Sequence, residues 1–477
     1  MAIIFIVGLG PGPVEQLTAD ARRILLSSKR LHLVGTDGSS LNIENGAHSC
    51  SYELDVDPIV LAKHVVADVE KWPEVTLAVP GDPTDWQILL EALDRFASVR
   101  GTIVRRVSGV SRVSSVLNAL DLSGLPGLHV TMAEDVAAKT HPPFGTDCPV
   151  LVMGLRSRNT VASLKRVLLN QYQPEFRVAI VHWNGQKGET CDSLALEGID
   201  KVSSISQVST LYLPAADEMS GFAGLQNIVA KLRGPEGCPW DQEQTHLSLR
   251  ANLLEEVYET LGAIESGDSV NLVEELGDLL LQVVLQIQIG VDAKEFQMGS
   301  VIAGINKKLV RRHPHVFAGE SVDGVEDVLR NWQSIKRVER NSKKDSADSE
   351  LSGIPPALPA LAQAQIYQTR AAQVGFDWPQ LSGVIKKFHE EIEELRKARG
   401  SEQKMAETGD LLFSLVNLSR RMDIDAESAL REANTRFRSR FEDMELYVRR
   451  RGGSIAECSI DDLNIIWDTI KEKRRSH

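Results

Sequence analysis

The chain has 477 residues, 42% hydrophobic and 25% charged, a length and composition that suit two to four soluble domains with buried cores. Its 66 acidic side chains against 53 Lys and Arg give a formal charge of −13. That balance argues against coating a nucleic-acid polymer or a membrane surface, where clustered basic charge is needed.

The N-terminal MAIIFIVGLGPG has no basic leader, and its apolar run of about seven residues ends at a Gly/Pro turn, so a buried strand is expected rather than a secretion signal. No apolar run approaches the roughly 20 residues of a membrane-spanning helix. The five cysteines, Cys50, Cys148, Cys191, Cys238 and Cys458, have neither metal nor redox spacing, so free thiols in a reducing cytoplasm are expected. Up to about residue 213, short β-branched runs alternate with helical patterns. The runs are Ile3 to Val7, Val75 to Val79, Val150 to Met153, Val178 to His182 and Leu211 to Leu213; the helical patterns include Leu89 to Phe96 and Val161 to Leu169. This alternation predicts an α/β domain with a largely parallel sheet.

The loop Val7 to Gly12 (VGLGPG) follows the first strand. Such glycines serve a tight turn as readily as a phosphate. The loop lacks the acidic ribose partner of a dinucleotide site and the Gly-Lys-Ser/Thr of a P-loop. Pro80 to Pro83 (PGDP) and Val107 to Ser111 (VSGVS) hold the same position after two further strands.

Residues 214–221 are small and polar, a linker pattern. Beyond them strand-like runs vanish and 3.6-residue periodicity takes over, which predicts an all-helical half. The stretch from Asn341 to Pro356, polar and then Pro-rich, is expected to be a mobile linker dividing that half in two. The two pieces repeat one another. Glu255-Glu256-x-x-Glu259 recurs as Glu390-Glu391-x-x-Glu394, and Glu275-x-x-Asp278 as Glu407-x-x-Asp410. Downstream, Asn306-x-Lys308 and Arg312 recur as Asn434-x-Arg436 and Arg440. Three blocks matched in order indicate an internal duplication.

Glu256 and Glu259, three apart, project from one helix face, and Glu275 and Asp278 do so from a second helix. Gly267 with the neighbouring Asp, Ser and Asn residues stops one helix and caps the next, so an antiparallel hairpin is expected to bring the four carboxylates together. Clustered carboxylates repel, and a hard divalent cation such as Mg²⁺, taken up with substrate phosphates, relieves this. A lone helical Glu is more often a solvated side chain. Asp278 and Asp410, each leading into an apolar run, need a partner or a capping role. Gly277 and Gly409 inside helical patterns cost about 1 kcal/mol each relative to Ala, which close helix packing or room for a ligand would offset. Lys308 with Arg312, and Arg436 with Arg440, have the spacing to grip phosphate from one helix face; a solvated basic stripe is the alternative. Trp240 and Trp378 precede the acidic helices and suit either stacking on a base or packing in a core.

These residues resemble the MazG-type family of all-α nucleoside triphosphate pyrophosphohydrolases. The resemblance rests on the two acidic motifs together with GCPWDQEQT before the first and VGFDWP before the second. It implies Mg²⁺-dependent cleavage of nucleoside triphosphates between the α and β phosphates by two tandem modules, residues 221–340 and 356–477. Glu256, Glu259, Glu275 and Asp278 would hold metal in the first, and Glu391, Glu394, Glu407 and Asp410 in the second. It also implies a homodimer. Both quartets are intact, so the sequence does not choose between them.

The three glycine loops, in their order, resemble the tetrapyrrole (corrin/porphyrin) methylase fold over residues 1–213. That implies two α/β lobes with S-adenosylmethionine between them, touched by Gly8, Gly10, Pro11, Gly12, Gly81, Asp82, Pro83, Gly109 and Ser111, and a small-molecule methyl acceptor. Two departures stand out: Thr84-Asp85-Trp86-Gln87 where the family carries an aromatic and a small residue after GDP, and Gly35-Thr36-Asp37 where a Tyr-Asp is usual. The combination resembles YabN-like two-part proteins. A second reading makes methyl transfer the main activity and the helical half a regulatory or dimerising module.

Overall fold

The structure is a computed structural model and describes residues 2–10, 17–36, 41, 46–122, 127–183, 189–206, 208–217, 219–342 and 349–475. The chain forms two compact units, Met1–Asn306 and Lys307–His477.

The first unit opens with an α/β lobe: β1 (Ile3–Gly8), α1 (Ala19–Ser27), β2 (Arg30–Val34), β3 (His48–Tyr52), α2 (Pro58–Asp68), β4 (Glu74–Val79), α3 (Gln87–Val99) and β5 (Ile103–Val107). Its sheet runs β3-β2-β4-β1-β5, and every pairing is parallel. The apolar runs of β1 and β4 sit at the centre because helices cover both faces, as an all-parallel sheet requires. Ile4, Ile6, Val75 and Leu77 pack against Leu61, Val65, Leu89 and Leu93 of α2 and α3. Val7, Leu31 and Leu33 pack with Ala21 and Leu25 of α1.

A second lobe follows: α4 (Arg112–Ala119), β6 (His129–Met132), α5 (Ala133–Ala137), β7 (Val150–Met153), α6 (Arg158–Leu168), β8 (Arg177–Trp183), β9 (Glu189–Ala195) and β10 (Thr210–Leu213). Its order is β6-β7-β10-β8-β9. Here β6 and β7 are parallel, while β10 runs antiparallel to both β7 and β8, and β9 antiparallel to β8. The expectation of a largely parallel sheet therefore describes the first lobe and is corrected for the second. β10 enters the middle of its sheet against its neighbours, and β8 and β9 form a hairpin, so no crossover helix separates them.

The unit continues as helices α7 (Phe222–Arg233), α8 (Pro239–Glu243), α9 (Arg250–Ser266) and α10 (Ser269–Asp292). Gly267 ends α9 in the left-handed conformation, φ 70°, where a side chain is disfavoured. Asp268 caps α10 by accepting from the Val270 and Asn271 N–H groups. This is the expected hairpin. Val229, Leu249, Val284, Leu285 and Ile289 form its small core. The next helix, α11 (Met298–Arg312), spans the division between the units.

The second unit holds α12 (Pro314–Phe317), α13 (Val325–Ser342), α14 (Ala360–Gln373), α15 (Leu381–Lys397), α16 (Ser401–Arg421), α17 (Ala426–Arg450) and α18 (Ile460–Arg475). α14 and α15 pack on α16, and α17 packs on α18. No helix among the described residues is long and apolar enough to cross a membrane.

Candidate metal and nucleotide sites

In the first hairpin, oxygens of Glu256, Glu259 and Glu275 all lie within 4.8 Å of one another. The buried Thr260 hydroxyl ties the two helices together at this level, donating to the Glu256 carbonyl oxygen at 2.7 Å and lying 3.3 Å from that of Glu275. Loss of surrounding water and then the charges of Asp278 and Glu259 raise the proton affinity of Glu256, against a hydrogen bond from Gln282. Glu275 is raised likewise, by desolvation and then by Glu259 and Asp278. Asp278 thus stands beside the tight triad. It lies well inside α10 rather than at its start, so it has no capping role there. The apolar run is also less covered than expected, since Leu280 and Val283 are exposed. An added Cβ at Gly277 meets nothing within 4 Å, so open space rather than close helix packing surrounds that glycine.

The second hairpin repeats the arrangement at the duplicated positions: oxygens of Glu391, Glu394 and Glu407 lie within 4.8 Å of one another. Glu391 is buried, and its Oε2 has no hydrogen-bond partner. Lys387, one turn earlier, reaches Glu391 at 2.8 Å and Glu390 at 2.9 Å. Those two hydrogen bonds raise the lysine pKa. The Glu394 pKa is raised by desolvation and by Glu391 and Glu407, against Lys387. Gly409 also faces open space. Asp410 and Glu391 line a cavity of about 680 Å³ whose walls include Tyr367, Phe376, Trp378 and Phe413. In both hairpins the donor set is all carboxylate oxygen, mutually repelling and gathered tightly enough for one hard cation, so the residues fit Mg²⁺.

The aromatic and basic residues separate. Trp378 lies on the cavity wall, while Trp240 is exposed on α8. Arg436 turns to Glu432 at 3.1 Å, and the Arg440 guanidinium lies 6.0 Å from the Trp467 ring centroid. Neither lines the cavity with Glu391. Lys308 and Arg312 instead line a second cavity with Trp332 and Glu339, where Arg312 donates to Glu339 at 2.6 Å. Lys387 escaped the sequence reading although its spacing of four from Glu391 signals it. The Arg312–Glu339 pair spans two helices and has no local signal.

In the N-terminal lobes the glycine loops meet at the carboxyl ends of β1, β4 and β5. A Cβ on Gly8 would stand 2.6 Å from both Gly109 N and Gly81 O, so these glycines permit close backbone approach. Gly10 and Gly81 exchange backbone hydrogen bonds at 3.1 and 3.0 Å. Asp82 accepts from Gly109 N at 3.0 Å, and Asp85 accepts from Asp82 N, Ser111 Oγ and Arg112 N. Pro83 is buried beside them, and the Trp86 indole donates to Pro80 O at 2.8 Å. Gly8, Gly10, Gly81, Asp82, Pro83, Gly109 and Ser111 therefore build one interlocked rim; Pro11, Gly12 and Asp37 lie outside the described residues. The rim occupies the strand ends at which α/β sheets bind ligands.

A family model of the MazG nucleotide pyrophosphohydrolase domain matches residues 244–317, and one of tetrapyrrole (corrin/porphyrin) methylases matches residues 4–196. The chain is 32% identical over 493 residues to the uncharacterized protein YabN of Bacillus subtilis (strain 168), covering 99% of each chain. It is 44% identical over 250 residues to the nucleoside triphosphate pyrophosphohydrolase/pyrophosphatase MazG of Thermotoga maritima, covering 52% of this chain and 95% of that one. It is 43% identical over 255 residues to the nucleoside triphosphate pyrophosphohydrolase of Escherichia coli (strain K12), covering 52% and 96%.

Proposed function

Because the chain belongs to the YabN-like family, in which a tetrapyrrole methylase domain precedes MazG pyrophosphohydrolase sequence, we propose that it cleaves nucleoside triphosphates to the monophosphate and pyrophosphate. The observation that carries this is the pair of acidic triads at duplicated positions of two helical hairpins. We assign the metal to Glu256, Glu259, Glu275 and Asp278 in a first module, residues 221–340, and to Glu391, Glu394, Glu407 and Asp410 in a second, residues 356–477. Bound Mg²⁺ supplies neutralisation of phosphate charge and a water of lowered pKa. A neighbouring glutamate would take the proton of the attacking water.

In the second module the apolar cavity takes the base against Trp378, and Lys387, paired with Glu391 here, would turn to substrate phosphate where Glu391 holds the metal. We assign Trp240 the same role in the first module. Lys308 and Arg312, with Arg436 and Arg440, are the phosphate-gripping cations. The N-terminal domain, residues 1–213, takes S-adenosylmethionine on its glycine rim, and a homodimer working in the cytoplasm completes the proposal.

A nucleotide panel with Mg²⁺ tests the reaction: monophosphate and pyrophosphate in equal amounts are expected, whereas diphosphate with orthophosphate contradicts it. Calorimetry tests the cofactor separately. Heat on adding S-adenosylmethionine supports the rim assignment, and none removes it.

A further inference from the structure

The residues between β10 and α7 have a linker's composition, yet the second lobe holds them. The Ala216 N–H donates to the Thr146 carbonyl oxygen at 2.8 Å, and the hydroxyls of Thr146 and Ser220 lie 2.7 Å apart. Asp147 fixes the end of the segment. A Cβ added to Gly145 would stand 2.3 Å from Asp147 Oδ1, and one added to Gly221 would stand 2.2 Å from Asp147 Cγ. Two glycines far apart in the chain thus make room for one carboxylate. Gly221 is buried and is the N-cap of α7, with no side chain of its own to cap it. The Asp147 charge therefore stands at the positive end of a 12-residue helix. The loop that presents Asp147 is anchored in turn. Phe144 is buried in the core of the lobe with Val150, Leu211 and Leu213, and its carbonyl oxygen accepts from Gln171 Nε2 at 3.0 Å.

α7 is held at its other end as well. Arg233 Nε donates to Asp292, the last residue of α10, at 2.6 Å, and Arg233 also reaches the Gln244 carbonyl oxygen at 3.2 Å. Between the two ends, Val229 is fully buried against Leu249, Val284, Leu285 and Ile289. α10 is the helix that carries Glu275 and Asp278. A continuous path of packed and hydrogen-bonded groups thus runs from the sheet of the second lobe to the first acidic hairpin.

We propose that α7 is a strut that makes the second lobe and the first acidic hairpin one cooperative body, with Asp147 as the joint. The core cluster of the hairpin holds five buried apolar side chains. That is small for α7 to α10 to stand alone, and anchorage to the lobe offsets part of the ordering cost. Opening either part then costs contacts of the other. The glycine rim and the first metal site are linked as a consequence: a ligand that steadies one raises the affinity of the other by the same factor. That consequence rests on the two assignments made above; the joint does not, and its test uses neither ligand nor turnover.

Hydrogen exchange is followed by mass spectrometry in the full chain, with Val229→Ala as the perturbation of the hairpin core. Exchange is expected to quicken about tenfold in α10 and to a similar degree in β10, the central strand of the lobe, through shared opening. With Asp147→Ala also present, Val229→Ala is expected to quicken α10 alone. Ile289→Val, a milder cut in the same core, gives the same reading if Val229→Ala does not fold. Quickened α10 with unchanged β10 overturns the cooperative body. An equal response of β10 with and without Asp147 overturns the joint.

Discussion

Lys387 and His32 show how single residues here answer to their surroundings. Lys387 holds the buried Glu391 in a pairing one helical turn long. Removing the partner of a buried charged group costs about 1–3 kcal/mol, so Lys387→Met is expected to lower the melting temperature of metal-free protein by several degrees. Added Mg²⁺ is expected to recover much of that loss, and an equal deficit with and without Mg²⁺ contradicts the assignment of Glu391 as a ligand. His32 is buried between the Tyr52 hydroxyl at 2.9 Å and Asp68 at 3.0 Å. Burial first, then the neighbouring Arg30, push its pKa down to about 4, against Asp68. The unfolded chain therefore takes up a proton near pH 6.5 that the folded one resists until about pH 4. Stability is lost as pH falls through that window, by up to about 3 kcal/mol. Chemical denaturation of His32→Asn across pH 7 to 4 is expected to show a flatter slope than wild type. The pairing of Glu256 with Glu259 was legible from spacing alone; the partners of His32, brought from two other elements, were not.

At the scale of elements, glycines separate by what surrounds them. Gly8 meets the backbone of two other loops at 2.6 Å, so Gly8→Ala is expected to cost about 3 kcal/mol or more, visible as a drop in denaturation midpoint. Gly409 sits in a helix with open space around it, and Gly409→Ala is expected to raise stability by about 1 kcal/mol. A loss of stability there means that packing absent from this structure covers the glycine. The same contrast explains what could be read in advance. Central strands β1, β4, β7, β8 and β10 are continuous apolar runs because both faces are covered, and each was found; central β2 (RLHLV), whose run is interrupted by His32, was missed. Edge strands β3 (HSCSY) and β9 (ETCDSLA) are largely exposed and carry no such run, so each was missed. Strand direction in the second lobe is a tertiary property, and local pattern gave no notice of it.

For the whole molecule, the duplication was the most informative feature of the sequence, because it placed two acidic hairpins at matched positions before any geometry was known. What it left out is the difference between them. The first triad is joined by Gln282 and Thr260, the second by Lys387 and an aromatic-walled cavity, and these neighbours lie outside the repeated motif. Mg²⁺ is expected to stabilise the folded chain by mass action, with a rise in melting temperature that grows with metal concentration and shrinks in Glu391→Gln. The account is tested most directly by pyrophosphate release from a nucleoside triphosphate, measured with Mg²⁺ on wild type, Asp278→Asn, Asp410→Asn and the double variant. Loss of at least a hundredfold is expected in the double variant, with the single variant that reproduces it marking the working hairpin. Pyrophosphate release undiminished in the double variant would contradict the account.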